Sequence, residues 1–355
     1  MMEYYIAAAC GGVLLGGMAT MKLVATGNVL GISGSFKGVV KRQGWRPAIF
    51  TLGLLAGGFI AKRTVPESFG VYEGASVLSL FLAGLFVGAG TYTANGCTSG
   101  HGITGMARMS TRSMTSTATF FATAVGIATL FNTASLITPH EYTPVDTETT
   151  AITSFALAAA FGIVLIARKY IPGIMTENIS KLFVEFITGT GFALGLVYSG
   201  MSQPLNTAKF LDLRYEHWSP ALSFVMVGAL FVKVIVYHYH TIERKSAMLG
   251  GDMHLVCPRA PIDRKLVFGS VLFGLGWGAS GICPGPGFLL LAQDNPQSGI
   301  AFVGGLFSMY VMLSLIDSIP AKNPDEVTPL IQEKEEEEAS NSKFNVINAL
   351  PDIIN

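Results

Sequence analysis

Two glycine-rich segments, far apart in the chain, each carry one cysteine. The first is Gly96-Cys97-Thr98-Ser99-Gly100-His101-Gly102 and the second is Gly281-Ile282-Cys283-Pro284-Gly285-Pro286-Gly287. Each follows a long apolar run, and the two stretches align without a gap, so that Gly88 matches Gly274 and Cys97 matches Cys283. A thiol is a soft, polarizable group and a weak S–H donor. One cysteine at the same place in two copies of one unit predicts a paired function.

The residues around the two cysteines favour an anion as the ligand. Thr98, Ser99, Gly100 and Gly285 let the backbone approach a ligand, and Pro284 is typical of a helix start. The first turn of a helix leaves N–H groups free at the positive end of the helix dipole, where anions bind. Sulfate, phosphate and carboxylate have no need of a soft thiol, whereas an anion with a terminal sulfur atom can use one. The segments therefore predict a site for a sulfur-containing anion, and thiosulfate is the obvious candidate.

Three further residues are candidates for the same site, each with an alternative explanation. His101 lies four residues after Cys97, on the same face of a short helix, and either stabilises the anion or sets the protonation of Cys97. The alternative is a packing histidine with a backbone partner. Asn95 either donates to the anion or caps the preceding helix. Met201 either lines the path or packs in the core.

The composition indicates an integral membrane protein. The chain has 355 residues, of which 50% are hydrophobic and 13% are charged, and its mean hydropathy is +0.49. Soluble domains carry about 25% charged residues. The formal net charge of zero indicates no nucleic-acid partner. The four cysteines form no CxxC pair, so no zinc site, thioredoxin motif or other cofactor is expected, and the lack of a P-loop argues against direct use of ATP.

The apolar runs predict an all-α protein with about nine transmembrane helices, each of about 20 residues. The predicted spans are 4–25, 46–62, 76–94, 114–137, 151–171, 181–200, 219–240, 264–281 and 297–319. Four shorter apolar stretches follow spans and open with glycine, proline or serine; they are 28–40, 97–109, 203–213 and 284–294. Stretches of this size are re-entrant candidates, and the alternative is an ordinary helix at the membrane interface. Acidic residues are scarce within the spans, and Glu185, the main exception, is either a proton carrier or simply lies near the cytoplasmic end of the sixth span. Lys22, near a span end, is explained by snorkelling.

The order of spans predicts two inverted repeats. Residues 1–137 contain four spans and two short stretches, residues 138–180 contain one linking span, and residues 181–319 again contain four spans and two short stretches. An even number of crossings followed by a single span turns the second unit over, and such repeats place a substrate path at their interface. Residues 320–355 are acidic and poor in apolar residues, which predicts a disordered cytoplasmic tail.

Lysine and arginine predict the orientation in the membrane. The flanks of one side carry most of these residues, including Lys37, Arg46, Arg108 and Arg112, whereas the other side has Lys62, Arg63, Lys209 and Arg214. Cytoplasmic loops carry the excess of positive residues. We therefore expect the N-terminus outside and the C-terminus in the cytoplasm, with the plasma membrane as the expected location.

The segments around Cys97 and Cys283 resemble the signature segments of the YeeE/YedE sulfur-transport membrane protein family. Two further stretches fit this resemblance, 27–34 and 199–212, and together the four cover nearly the whole chain before the tail. The resemblance implies uptake of thiosulfate or a related sulfur anion across a lipid bilayer, by a protein that is not an enzyme. It also implies a third cysteine in the first short stretch; here the corresponding place has Ser33, whose hydroxyl could take over that part of the path.

Two mechanisms remain open at this stage. In the first, Cys97 and Cys283 relay the anion by weak S–H contacts and helix N–H groups, which bind it without trapping it. In the second, a thiolate attacks the terminal sulfur and becomes a persulfide, as in a membrane sulfurtransferase or thiol-redox protein. The second mechanism adds a cytoplasmic protein that accepts sulfur as a partner. A third interpretation is a structural membrane protein that transports nothing, but it leaves the paired broken helices unexplained.

Overall fold

The computed structural model describes residues 2–69, 75–138, 143–238, 246–253 and 261–319. Within these ranges the regular structure is helical. The first part of the chain forms α1 (Met2–Thr26), α2 (Ile32–Val40), α3 (Trp45–Thr64), α4 (Val77–Ala94), a π-helical segment (Thr98–Gly105), α5 (Thr111–Phe131) and α6 (Thr133–Leu136). Helix α7 (Thr147–Tyr170) follows. The second part forms α8 (Glu177–Tyr198), α9 (Pro204–Leu211), α10 (Ala221–Val236), α11 (Arg264–Ser280), α12 (Pro284–Leu289) and α13 (Gln297–Ser318).

Each predicted span coincides with a long helix in the described part of the chain. The predicted span 114–137 is in fact two helices, because Asn132 adopts a left-handed conformation with φ of 51° and ends α5. Six of the long helices, α1, α4, α5, α7, α8 and α13, are long and apolar enough to cross a membrane by themselves, and the bent pair α11–α12 would be a seventh. Helix α10 has only 16 residues, and α3 carries Arg46, Lys62 and Arg63. The all-α membrane class is confirmed, and the number of nine spans stays a prediction.

The four short stretches also coincide with short helical elements. They are α2, the π-helical segment, α9, and α12 with the 3-10 turn Leu290–Ala292 that follows it. The order of long, short, long, long, short and long helices therefore occurs once before α7 and once after it. The inverted relation of the two units stays a prediction. The predicted tail 320–355 lies outside the described residues.

Small residues bring the long helices of the two parts into close contact. Helix α3 of the first part packs along α8 of the second, and α10 of the second part packs along α1 of the first. At the first crossing, a Cβ added to Gly53 would lie 2.4 Å from the Phe186 carbonyl oxygen. At the second, a Cβ added to Gly228 would lie 2.3 Å from the Ala9 carbonyl oxygen. Glycine is needed at such crossings because the hydrophobic effect does not drive helices together in lipid, so their association depends on close packing of the backbones.

The chain divides into two compact units. The first, Met1–Met312, contains every feature of the candidate site. The second, Leu313–Asn355, is described only as far as residue 319, where it forms the last turns of α13.

Candidate functional site

The two cysteines lie at equivalent breaks of the backbone. Helix α4 ends at Asn95 and α11 ends at Gly281, and both residues adopt the left-handed conformation, with φ of 60° and 70°. Two residues later Cys97 and Cys283 are both extended, and each directly precedes a short helical element. The same stop and restart of the chain therefore brings each thiol to the start of a short element within the protein.

Both thiols line one small cavity, which we call the thiol cavity. Its lining includes six of the residues predicted from the sequence: Cys97, Thr98, Ser99, Met201, Cys283 and Gly285. The Cys97 Sγ lies 3.2 Å from the Ser99 Oγ. The Cys283 thiol has the Thr98 side chain and the Gly285 backbone N–H as hydrogen-bond partners. Neither cysteine forms a disulfide, so two free thiols from the two halves of the chain face the same space.

Apolar side chains form the rest of the wall of the thiol cavity. Leu15 of α1, Ile32 of α2, and Phe192 and Leu196 of α8 are among them. The cavity has a volume of about 20 Å³, which is room for roughly one water molecule. A multi-atom anion does not fit in this volume.

A second, larger cavity of about 540 Å³ lies on the side where α1 ends and α3, α5 and α8 begin, and we call it the vestibule. Four other predicted residues line it: Ser33, Asn95, Gly100 and His101. The predicted set therefore falls into two compartments and not one. Pro284 is buried and lines neither cavity; it starts α12 directly after Cys283.

The thiol cavity and the vestibule are separated by a thin contact, which we call the partition. Its two sides are the start of α2 and the π-helical segment. The Ile32 N–H donates to the Ser99 Oγ at 3.2 Å, and the Thr104 hydroxyl donates to the Leu30 carbonyl oxygen at 3.3 Å. Ile32 and Ser99 line the thiol cavity, while the neighbouring Gly31, Ser33 and Gly100 line the vestibule. Two hydrogen bonds thus join these short elements between the two compartments.

The His101 ring braces the wall of the vestibule, and the contact of this residue with Cys97 is a backbone one, since the His101 N–H donates to the Cys97 carbonyl oxygen at 2.8 Å. Its Nε2 lies 3.1 Å from the Ala94 carbonyl oxygen, and its Nδ1 lies 3.1 Å from the Ser113 Oγ. A carbonyl oxygen can only accept, so Nε2 carries a proton. The ring lies so close to Gly96 that a Cβ there would be 2.5 Å from the His101 Cδ2. The packing explanation with a backbone partner therefore describes this histidine.

Asn95 and Ser33 differ in how their side chains are satisfied. The Asn95 Oδ1 accepts a hydrogen bond of 2.6 Å from the Lys37 Nζ, and its backbone forms the left-handed cap of α4. The Ser33 Oγ is buried and has no hydrogen-bond partner within the described residues. A buried hydroxyl without a partner is uncommon and calls for an explanation such as a ligand.

The charges of the vestibule were not predicted as part of the site. It is lined by one carboxylate, Glu185, and by four cations, Lys22, Arg46, Arg108 and Arg112. Glu185 lies 2.6 Å from the Lys22 Nζ and 3.5 Å from the Arg46 Nε. Arg112 pairs with Asp263 at 3.4 Å. Snorkelling does not describe Lys22, because its side chain is only 6% exposed and forms a buried ion pair.

A third, minor pocket of about 10 Å³ lies on the other side of the thiol cavity, and we call it the far pocket. Ser199, Asn206 and Thr207 give it a polar lining. Met201 and Val225 line both the far pocket and the thiol cavity. The three spaces therefore follow one another as far pocket, thiol cavity and vestibule. In the described part of the chain no three His, Cys, Asp or Glu side chains come together as a metal site requires.

Comparisons with known proteins show which family the chain resembles. A family model described as sulphur transport matches residues 4–127, and a family of unknown function, DUF6691, matches residues 180–324. Two proteins named probable transporter, from Xylella fastidiosa strains 9a5c and Temecula1, are each 37% identical over 114 residues. The match covers 32% of this chain and 75% or 74% of the relative. No solved structure matches this chain. The chain belongs to the YeeE/YedE-like sulphur transport family of membrane proteins.

Proposed function

We propose that this multi-pass membrane transporter takes up thiosulfate, and that Cys97 and Cys283 relay the anion through the thiol cavity. The observation that supports this most is the meeting of two free thiols, one from each half of the chain, in one cavity. The family supports transport of a sulfur compound. The identity of the anion and the role of the thiols are our proposal.

The lining of the thiol cavity suits the two ends of thiosulfate. The terminal sulfur is large and polarizable, and it can accept weak hydrogen bonds from thiols. The oxygen end can accept from the Thr98 hydroxyl and the Gly285 N–H, which already serve the Cys283 thiol. The apolar walls exclude water, so each of these contacts is stronger than in solution. No charged side chain lines the cavity, so the anion is bound weakly enough to leave it.

Movement of the partition would open the relay to the vestibule. The partition consists of two hydrogen bonds, and one side of it is a π-helical segment. π-Helical turns are rare and occur frequently at functional sites. We propose that the start of α2 and the π-helical segment separate when the anion passes. Met201 and Val225, which line both spaces, would form a similar movable barrier between the thiol cavity and the far pocket.

The distribution of positive residues supports the proposed orientation in the membrane. The vestibule carries Arg46, Arg108 and Arg112, and the side that is richer in lysine and arginine is expected to be cytoplasmic. In this orientation the far pocket opens to the outside, the N-terminus is outside and the C-terminus is cytoplasmic. The plasma membrane remains our expected location.

The juxtaposition of the thiols also favours a second candidate, transfer of sulfur by a membrane sulfurtransferase. A Cys97 thiolate would attack the terminal sulfur of thiosulfate, the S–S bond would break, and sulfite would leave with its electron pair. Cys97 would then hold a persulfide, and Cys283 in the same cavity could receive the sulfur. A cytoplasmic acceptor protein would complete the transfer. Both thiols are buried, and no base among the described residues hydrogen-bonds to the Cys97 thiol, which favours the relay.

Uptake of sulfur-labelled thiosulfate into proteoliposomes tests the proposal. We expect Cys97→Ala and Cys283→Ala to lose uptake, and Cys10→Ala to keep it, because Cys10 lies in α1 outside the thiol cavity. Size-exclusion profiles and thermal unfolding establish that the variants are folded. Unchanged uptake in both cavity variants would sink the relay. Mass spectrometry after incubation with thiosulfate decides between the candidates, since only the transferase leaves an added sulfur atom on Cys97.

A further inference from the structure

The vestibule is a built, polar compartment whose side chains have no role in the thiol relay proposed above. No thiol lines it, and the partition separates it from both cysteines. Its volume of about 540 Å³ is much greater than that of the thiol cavity. The question is which ligand its side chains would hold.

The charges around Glu185 favour an anion. Lys22 and Arg46 both point to this one carboxylate, so the cluster carries one more positive than negative charge. Lys22 and Glu185 are buried, at 6% and 3% exposure of their side chains. These two buried charges pair with each other, so the excess positive charge is that of Arg46, whose side chain is 34% exposed and lines the vestibule, where it attracts an anion.

The position of Arg46 supports the same conclusion. Arg46 is the second residue of α3, at the positive end of the helix dipole, where a cation is unfavourable. Arg112 has the same position in α5. With the Asn28 amide turned so that its oxygen faces Arg46, this oxygen would accept from both terminal nitrogens of Arg46, at 3.0 and 2.9 Å. A cation that is kept at a locally unfavourable position is typical of a functional site.

Open space and an unused donor lie on the wall that α2 and the π-helical segment form. The Ser33 Oγ is buried, lines the vestibule and has no partner in the described chain. A Cβ added at Gly34 or Gly100 would meet no atom within 4 Å, so the backbone there is accessible to a ligand. The vestibule thus has cations on one wall, and a free hydroxyl and open backbone on another.

We propose that the vestibule is a second anion site, which binds a divalent oxyanion through Arg46, Lys22 and Ser33 independently of the thiols. The anion competes with Glu185 for the two cations. Thiosulfate after passage and sulfate from the cytoplasm share this chemistry, and the site takes both. As a station of the transport path the site rests on the proposed function, but its binding does not.

Binding of sodium sulfate and sodium thiosulfate to the full-length protein in detergent tests this site, by calorimetry at constant ionic strength. We expect both anions to bind, and Arg46→Gln to weaken both by about tenfold or more, because a charge-assisted hydrogen bond is lost. Glu185→Gln should tighten binding, because the competing carboxylate is removed. Arg63→Gln, at the exposed far end of the same helix, is the matched control and should change nothing.

The thiol double variant Cys97→Ala/Cys283→Ala separates this proposal from the relay. We expect it to bind both anions with wild-type affinity, even where it has lost uptake. No binding of sulfate by the wild type, equal binding by Arg46→Gln, or loss of binding in the thiol double variant would each overturn the vestibule site. Unchanged uptake in the thiol double variant would overturn the relay alone.

Discussion

The thiol cavity and the vestibule are neighbours that differ in almost every physical property. The thiol cavity is small, apolar and free of charged side chains, with two thiols as its reactive groups. The vestibule is about 540 Å³ in volume and has four cations and one carboxylate in its lining. Both share the same wall, because successive residues of α2 and of the π-helical segment face opposite sides.

The contrast between the two compartments suggests how the proposed path could both attract an anion and release it. Cations concentrate an anion from solution, but a charged site deep in the path would also trap it. In the proposed relay, soft, neutral contacts in a dry cavity would bind it weakly and select for sulfur. The comparison therefore assigns selection to the thiol cavity and attraction of the anion towards the cytoplasmic side to the vestibule, and each assignment can be tested separately.

The largest effect is expected where the charge pairing of the vestibule is broken. Lys22→Met removes the buried partner of the Glu185 carboxylate and leaves it only the partly exposed Arg46 side chain, 3.5 Å away at Nε; removing one partner of a buried pair costs about 3–5 kcal/mol. We expect the unfolding free energy, measured by SDS titration in mixed micelles, to fall by this amount. Lys22→Met/Glu185→Gln should recover most of it, because no buried charge is left unpaired. A double variant as unstable as the single one would contradict the pairing.

The next effect concerns the thiol cavity without touching a thiol. A Cβ on Gly285 would lie 2.6 Å from the Ile32 Cδ1 and 2.9 Å from the Leu196 Cδ1. Gly285→Val should therefore fill the cavity and lower thiosulfate uptake about 100-fold, a barrier increase of about 2.7 kcal/mol. Sulfate binding in the vestibule should stay unchanged. Gly126→Val, where a Cβ meets no atom within 4 Å, is the control. Full uptake by Gly285→Val would mean that the anion takes another route.

Much of this architecture could be predicted from the sequence because membrane spans are a local signal. Apolar runs indicated the long helices, and glycine, proline and serine indicated the breaks before Cys97 and Cys283. The prediction of one helix over 114–137 was wrong for a local reason. The left-handed residue Asn132 divides this run into two helices, although the hydropathy of the run is continuous. The meeting of the two thiols followed from their equivalent places in two aligned stretches.

The vestibule could not be predicted, because its signal is not local. Lys22 and Glu185 lie on α1 and α8, and nothing in either sequence neighbourhood indicates that they pair. Arg46, Arg108 and Arg112 were interpreted only as markers of the cytoplasmic side. The sequence also placed His101 with Cys97 by helical spacing, whereas the ring is directed to Ala94 and Ser113.

A smaller effect is expected at His101, where a substitution tests whether the ring stabilises the vestibule wall or sets the protonation of Cys97. His101→Phe keeps the ring but leaves the Ala94 carbonyl and the Ser113 hydroxyl without their partner, at a cost of about 1–3 kcal/mol in unfolding free energy. The pH profile of Cys97 labelling by a small maleimide should not change in the folded variant. His238→Phe, at an exposed histidine near the end of α10, is the control for stability. A shifted pH profile in His101→Phe would instead mean that the imidazole sets the protonation of Cys97.

The smallest effect is expected at the partition itself, where the two compartments meet. Ser99→Ala removes the oxygen that accepts from the Ile32 N–H and that lies 3.2 Å from the Cys97 Sγ. A neutral hydrogen bond of this kind contributes about 0.5–1.5 kcal/mol, so the closed form should lose roughly two- to tenfold in population relative to the open one. The Cys97 thiol should then react two to ten times faster with a membrane-impermeant reagent applied from the vestibule side.

This measurement needs Cys97 as the only cysteine, in a background with Cys10, Cys257 and Cys283 replaced by alanine. Ser35→Ala is the matched control, because the Ser35 hydroxyl bonds only to Gly31 within the start of the same helix and not across the partition. Faster labelling in Ser99→Ala but not in Ser35→Ala would identify the bond between α2 and the π-helical segment as the barrier. Equal labelling rates in both variants would remove the partition from the path, and with it the idea that the two compartments are successive stations for one anion.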